Sequence, residues 1–176
     1  PERVSIAATW FRDNFPGDVL YAVKANPSPW ALDAVYAAGL RWFDVASEQE
    51  IQLIASRYPD AKMAFMHPVK SRKAIERAYF EHGVRTFSLD CEAELEKIVA
   101  ATQRADDLTL VVRLAVNNAD AVYALSHKFG ASEEGDVDAF LADLHGHLPR
   151  DFRAKGDIFV FVDVLLSVPG TPERNP

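Results

Sequence analysis

A lysine stands at the end of a short apolar segment, where an amine could act as a nucleophile. Lys24 lies in the segment 21–27, YAVKANP, and residues that break regular structure follow it at once. The apolar residues before it predict a β-strand buried on both faces, which would place Lys24 in a sheet interior. Because desolvation lowers the pKa of a lysine, we predict a nucleophile or Schiff-base donor. The alternative is that Lys24 reaches solvent over the rim of the sheet.

The elements around Lys24 alternate between apolar, β-rich segments and helical patterns. We predict strands at Val19–Val23, Trp42–Val45, Met63–Met66, Thr86–Leu89, Leu110–Val116 and Ile158–Val164. Strands that alternate with helices at this spacing indicate parallel βαβ units. The order is compatible with an open doubly wound sheet and with a (β/α)₈ barrel, and periodicity leaves both open.

Two of the predicted units resemble each other, and their helix boundaries carry recognisable signals. Residues 38–44, AGLRWFD, correspond to residues 82–88, HGVRTFS. In each unit a glycine supplies the left-handed residue that ends a helix before the next strand. Ser47 and Glu50 have the spacing of a capping box, which predicts a helix start after the second strand.

Composition and charge exclude several classes of function. With 176 residues, 49% hydrophobic and 26% charged, the chain is typical of a globular protein. A net charge of -7 and a pI of about 5.2 disfavour nucleic acid as a partner. The single cysteine, Cys91, fits a reducing compartment, and the longest apolar run, 158–168, is too short to span a bilayer. We therefore expect a cytoplasmic protein with no membrane partner.

The histidines do not indicate a metal site. Most of them stand far from cysteine or paired carboxylates, and the pair His145 and His147 falls in a predicted loop. A structural or catalytic zinc site needs three or four such ligands. We predict that the chain binds no metal.

Six separated motifs follow one another along residues 18–131. They are YAVKAN from residue 21, FDVAS from residue 43 with Glu50, Pro68 with Lys70, DCEAEL from residue 90, Arg113, and LSHKFG from residue 125. Together they resemble the pyridoxal-phosphate-dependent ornithine, diaminopimelate and arginine decarboxylases, whose cofactor domain is an alanine-racemase-like barrel. The resemblance implies an α/β fold, a (β/α)₈ TIM-type barrel. Because a full barrel takes about 250 residues, we expect a partial one, without the later strands and the C-terminal β-domain of the family.

The resemblance also implies a cofactor and the residues that contact it. Lys24 matches the lysine that holds pyridoxal 5′-phosphate as a Schiff base, and Ala22, Asp44 and Arg113 match neighbours of the cofactor. An arginine at a barrel mouth usually meets an anion. Without the family, Asp44 could equally cap a turn. Glu50 matches an active-site acid, although the capping box by itself explains a glutamate there.

Two further residues match the subunit interface of the family, in which the full-length proteins are homodimers. Lys128 matches a lysine that forms a salt bridge across the dimer in relatives, and Asp90 matches an aspartate near the same interface. Each residue also has a simpler interpretation. Lys128 could be an exposed loop lysine, and Asp90 could favour the positive end of a helix that begins near Cys91.

The match to the family ends before the chain does. We predict that residues 1–148 form the N-terminal cofactor-binding part of the barrel. Residues 149–176 match nothing expected of these decarboxylases and predict a divergent or disordered end, produced by truncation or by a change of frame. A barrel short of strands leaves open sheet edges, so we expect the chain by itself to be catalytically silent.

The activity that the resemblance implies is decarboxylation of a small basic amino acid, with ornithine as the first choice, as in polyamine biosynthesis. Such an enzyme is a carbon–carbon lyase. Racemases of the same fold continue the lysine motif with a tyrosine and a glycine–histidine pair, whereas Pro27–Trp30 follow Asn26 here. The alternative is a decarboxylase-like protein without catalysis, which binds pyridoxal phosphate or regulates a partner by binding it.

Overall fold

Helices and parallel strands alternate throughout the structure. The computed structural model describes residues 2–114 and 157–162. Its strands are β1 Leu20–Ala22, β2 Trp42–Val45, β3 Lys62–Phe65, β4 Thr86–Leu89, β5 Thr109–Leu114 and β6 Asp157–Val162. Its helices are α1 Glu2–Asn14, α2 Pro29–Ala37, α3 Glu48–Arg57, α4 Arg72–Phe80 and α5 Glu92–Ala101, and a 3₁₀ turn covers Val23–Ala25. Every predicted strand segment overlaps one of the observed strands.

The order of the strands decides between the two architectures that periodicity left open. The six described strands form one parallel sheet in the order β1-β2-β3-β4-β5-β6, so each strand pairs with its successor. A doubly wound sheet reverses its strand order at a switch point, whereas a (β/α)₈ barrel does not. The described residues therefore form part of a barrel wall.

The two faces of the sheet differ in the way that a barrel requires. One face carries large apolar side chains that pack with the helices into the core, among them Phe43, Phe65 and Phe87. The other face carries a mixture of polar, charged and apolar side chains, which border a cavity. The expectation that β1 is buried on both faces was wrong: Leu20 is exposed and Ala22 is half-buried. A strand of a barrel wall has its helices on one side only.

The strand at the end of the described chain belongs to the same sheet. β6 lies within the segment 149–176 that we expected to be divergent, and its backbone pairs with β5 from Thr109 opposite Asp157 to Leu114 opposite Val162. The domain boundary at residue 148 stays a prediction.

The internal similarity found in the sequence extends to a repeated side-chain cluster, which we call the clamp. Each clamp joins a tyrosine near the end of a helix, an arginine just before a strand and an aspartate before the next strand. The members are Tyr36, Arg41 and Asp60 in one clamp and Tyr79, Arg85 and Asp107 in the other. In both, the guanidinium carbon lies 4.0 Å from the centroid of the tyrosine ring. The two clamps tie neighbouring loops together at the amino-terminal edge of the sheet.

The glycines of the two similar units have the left-handed backbone that their positions predicted. The φ angle is 95° at Gly39 and 67° at Gly83. A Cβ added at Gly39 would lie 2.7 Å from Nη1 of Arg12, whereas one added at Gly83 would meet nothing within 4 Å. Nη1 of Arg12 donates a hydrogen bond of 2.6 Å to the carbonyl of Ala38.

We expect Gly39→Ala and Gly83→Ala each to lower the free energy of unfolding by about 1–2 kcal/mol, because an L-residue is strained at these φ angles. Gly39→Ala should cost about 1 kcal/mol more, since Arg12 must give up its hydrogen bond to Ala38. Urea denaturation of the two variants measures the difference, and Gly83→Ala is the matched control. Equal losses would show that the Arg12 contact contributes nothing.

Candidate active site

A cavity of about 690 Å³ lies against the inner face of the sheet. Its walls come from consecutive strands and the segments beside them: Asp18, Leu20, Lys24, Trp42, Asp44, Ala64, Met66, Thr86, Ser88, Thr109, Val111 and Arg113. This volume is within the range of about 300–1,000 Å³ that is typical of small-molecule sites. In a barrel, side chains at the carboxyl ends of the strands carry the chemistry, and Lys24, Asp44 and Arg113 lie at that end.

Lys24 lies in the 3₁₀ turn directly after β1, where its amine faces the cavity. The side chain is 61% exposed, and its Nζ lies 3.7 Å from Oδ2 of Asp44. The expectation that Lys24 is buried in the sheet was therefore wrong for this chain, because the residue lies in the turn after the strand and not within it. The ion pair with Asp44 holds the amine at the cavity wall.

Asp44 is the inward-facing carboxylate of β2. Its side chain is 19% exposed, and Oδ1 is buried without a hydrogen-bond partner among the described residues. Burial raises the pKa of Asp44 above its ordinary value and nearby Glu50 adds to the effect, whereas Lys24 and Arg113 lower it. A buried acceptor with unused capacity beside an accessible amine is suited to a ligand that donates a hydrogen bond.

Ala22 and Arg113 complete the cluster that the resemblance implied. Ala22 ends β1 and lies opposite Asp44 in the pairing of β1 with β2. Arg113 lies on β5, lines the cavity and is close enough to Asp44 to influence its pKa. Strands that are far apart in sequence thus bring an amine, a carboxylate and a guanidinium to one cavity. Their roles toward a cofactor stay predictions.

Glu50 forms a variant of the capping box that its spacing predicted, because its carboxylate binds the N–H of Ala46 and not that of the N-cap residue Ser47. The Oγ of Ser47 accepts a hydrogen bond of 3.3 Å from the backbone N–H of Glu50, and Oε2 of Glu50 accepts one of 2.8 Å from the N–H of Ala46. Glu50 is not among the cavity-lining residues. The structure therefore accounts for this glutamate by capping, and its role as an active-site acid stays a prediction.

We expect Glu50→Gln to retain both the fold and the uptake of pyridoxal phosphate, because glutamine also completes a capping box. Glu50→Ala should lose about 0.5–2 kcal/mol of stability, the usual cost of a removed cap. Thermal unfolding and cofactor absorbance measure the two properties. A glutamine variant that folds normally but takes up no cofactor would show that the carboxylate acts in the site.

Of the two residues predicted to lie near a subunit interface, the structure describes Asp90 but not Lys128. Asp90 follows β4 and is half-buried, outside the cavity lining. Lys128 lies outside the described residues, as does the pair His145 and His147. Within residues 2–114 and 157–162, no group of three or more potential metal ligands is found, and no helix has the length and apolar character that a bilayer span requires.

Sequence reasoning missed two sets of residues. The first is the inner wall of the cavity, including Trp42, Met66 and Ser88, which the alternation along each strand could have identified. The second is the buried ion pair of Lys70 and Glu94, whose side chains are 0% and 3% exposed. Lys70 was noted only as part of a motif, and no local pattern distinguishes a buried lysine from an exposed one.

The fold and the site define a class of protein: a parallel (β/α) barrel whose cavity presents an accessible lysine beside a buried carboxylate. Residues 2–147 match the family model described as pyridoxal-dependent decarboxylase, pyridoxal binding domain. The chain belongs to this family, and the cofactor of the family is pyridoxal phosphate. Lys24 and Asp44 fit such a cofactor, since the amine is accessible and Oδ1 of the carboxylate has an unfilled hydrogen-bond position.

Curated relatives of the chain include several decarboxylases and a protein with a different name. Lysine/ornithine decarboxylase of Selenomonas ruminantium is 36% identical over 125 residues, which are 70% of this chain and 30% of that protein. Ornithine decarboxylase of Rattus norvegicus is 37% identical over 113 residues, 64% of this chain and 23% of the relative. Antizyme inhibitor 2 of Homo sapiens is 34% identical over 113 residues, 64% and 24% of the two chains. The chain thus spans less than a third of their length.

Solved structures confirm the barrel. A mutant of the decarboxylase SrLDC in complex with pyridoxal phosphate superposes with a TM-score of 0.71 at 28% identity, over 92% of this chain and 39% of that one. Lysine/ornithine decarboxylase of Vibrio vulnificus, complexed with putrescine, gives a TM-score of 0.64 at 27% identity, over 91% and 38% of the two chains. The described sheet is therefore the N-terminal part of such a barrel.

Proposed function

We propose that this chain is the lysine-bearing part of a decarboxylase that acts on a small basic amino acid, with ornithine as the preferred substrate. The observation that carries the proposal is the amine of Lys24, which faces the cavity 3.7 Å from the buried carboxylate of Asp44. Names of relatives and neighbours support the substrate class, since they include ornithine and lysine decarboxylases and a complex with putrescine. The proposal includes a cytoplasmic homodimer with Asp90 and Lys128 near its interface.

In this proposal each residue of the cluster has a separate task. Lys24 attaches the cofactor covalently, and bound pyridoxal phosphate supplies an acceptor for the electron pair that remains when CO₂ leaves the substrate. Asp44 orients the amine through their ion pair and presents Oδ1 to a hydrogen-bond donor. Arg113 attracts anionic groups to the cavity from β5, and Ala22 leaves room beside Asp44 because its side chain is small.

The site of attachment is tested by adding pyridoxal phosphate to the chain, reducing the covalent bond with borohydride and mapping the labelled peptides. We expect the label on Lys24. Label on Lys62, Lys70 or Lys128 instead would contradict the proposal. Substrate preference is tested separately, by measuring CO₂ release from ornithine, lysine and arginine with the intact gene product. A preference for lysine or arginine would correct the substrate and leave the class of reaction unchanged.

A second candidate function is regulation without catalysis. It is favoured by the similarity to human antizyme inhibitor 2, whose name describes an action on another protein. Under this alternative the protein acts through a bound partner and its cavity does no chemistry. A gene product that takes up the cofactor at Lys24 and releases CO₂ would exclude the alternative, whereas one that forms a stable complex and releases no CO₂ would establish it.

A further inference from the structure

The backbone pairing between β3 and β4 covers fewer residues than the pairings on either side of it. These strands share two residue pairs, the last being Phe65 opposite Phe87, whereas β3 shares four pairs with β2 and β4 shares four with β5. The next residues on each strand, Met66 and Ser88, line the cavity. The backbone pairing between β3 and β4 therefore ends before the part of the cavity wall that Met66 and Ser88 form.

The ammonium of Lys70 spans this gap. Its Nζ donates a hydrogen bond of 3.0 Å to the carbonyl of His67, just after β3, and another to the carbonyl of Ser88 in β4. Two further acceptors lie nearby, Oε1 of Glu94 at 3.0 Å and the carbonyl of Pro68 at 3.5 Å. A protonated lysine has three donors, so each of them has an acceptor here. A neutral amine has only two donors and a hydrocarbon side chain has none, so neither could satisfy these acceptors as well.

Two side chains of helix α5 also bind the backbone of Lys70. Oε1 of Glu94 accepts a hydrogen bond of 3.1 Å from the backbone N–H of Lys70, and Nζ of Lys97 donates one of 2.7 Å to its carbonyl. Lys97 also bonds to Oε2 of Glu94. Burial lowers the pKa of Lys70, and the adjacent charge of Glu94 opposes this. We call Lys70, Glu94 and Lys97 the brace.

We propose that the brace fixes the β3–β4 edge of the cavity and so positions Met66 and Ser88 for binding of the cofactor. Lys70 is a positioning residue, because its ammonium is directed at backbone carbonyls and it does not line the cavity. The inference rests on the proposed function only in taking pyridoxal phosphate as the ligand. The hydrogen bonds by which Lys70 joins the ends of β3 and β4 do not depend on any ligand.

The effect of these hydrogen bonds is tested by amide hydrogen exchange of the chain without cofactor. Lys70→Met keeps the length of the side chain and removes the ammonium. We expect peptides that cover residues 63–70 and 86–90 to exchange about tenfold faster, because the local opening of this edge becomes easier. Ile54→Ala is the control: Ile54 is fully buried on α3, away from the brace, and its loss should leave these two peptides no faster than the rest of the sheet.

The positioning role is tested by titration with pyridoxal phosphate under conditions in which both variants are folded. We expect Lys70→Met to raise the Kd by about tenfold, because small displacements of a binding wall are costly. Ile54→Ala should change the Kd by less than about twofold. Should Lys70→Met fold poorly, the double variant Lys70→Met/Glu94→Leu removes both buried charges and should show the same faster exchange and weaker binding.

Unchanged exchange at 63–70 and 86–90 would overturn the brace, and faster exchange with an unchanged Kd would overturn its role in binding. If the unsubstituted chain took up no pyridoxal phosphate, the proposed function would fail. The exchange comparison would then decide by itself whether the brace exists.

Discussion

Lys24→Ala is expected to abolish covalent attachment of pyridoxal phosphate completely. Of the described lysines, only Lys24 lines the cavity, so none of the others is placed to replace it there. The change should lower the free energy of unfolding by no more than about 1 kcal/mol, because the ion pair that Lys24 forms with Asp44 is long and its amine is largely exposed. Mass spectrometry after borohydride reduction measures the attached cofactor, and urea denaturation measures the stability.

The matched control for this experiment is Lys62→Ala. Lys62 begins β3 at the opposite edge of the sheet, is exposed and has its Nζ 5.3 Å from the ring centroid of Trp42. This variant should keep a full equivalent of label on Lys24. Retention of the label by Lys24→Ala, at any site, would show that attachment is unspecific and would remove the main support for the proposed site.

The parts of the fold that depend on neighbouring residues could be predicted from the sequence. Each strand has its own apolar segment, and the helix start at Ser47 and the two left-handed glycines, Gly39 and Gly83, follow from signals within one turn. The choice of a barrel depends on which strands pair. That choice came from the resemblance to a family and is confirmed by the strand order.

The sequence identified which residues belong to the candidate site, but not how exposed their side chains are. Lys24 follows a predicted strand and Asp44 lies near the end of the next one, and parallel strands bring such positions to one edge of the sheet. Arg113 lies within the predicted strand Leu110–Val116, and only the resemblance to a family assigned it to the site. The exposure of Lys24 was not predictable, because it depends on how far the inner face is open. An apolar sequence before a lysine indicates a strand and says nothing about which faces are covered.

The buried pair of Lys70 and Glu94 shows the limit of local reasoning most clearly. The residues are 24 positions apart, on either side of α4 and β4, and the energetic reason for burying one exists only when the other is present. Charged residues are almost never fully buried unless they are paired. A sequence pattern that treats each residue separately therefore places both at the surface.

A double-mutant cycle on Lys70 and Glu94 should show this dependence on the partner directly. Glu94→Leu is expected to lower the free energy of unfolding by about 3–5 kcal/mol, because it leaves the ammonium of Lys70 buried without its paired carboxylate. Lys70→Met should lower it by less, because Lys97 still pairs with the carboxylate of Glu94. The double variant should lose clearly less than the sum, since it removes both charges and supplies apolar side chains in their place. Lys97, which keeps a half-buried position, can return to water when Glu94 is absent.

Urea denaturation of the four proteins measures the coupling, and the exposed pair of Arg57 and Asp33 is the control. Nη2 of Arg57 lies 2.6 Å from Oδ2 of Asp33, a distance shorter than that between Lys70 and Glu94. Because solvent screens that pair, its cycle should give a coupling of at most about 1 kcal/mol. If the losses in the free energy of unfolding at Lys70 and Glu94 were additive, the two charges would not stabilise each other. Their pairing would then not explain why both side chains are buried. A coupling well above that of Arg57 and Asp33 would show that burial and not proximity makes the interaction strong.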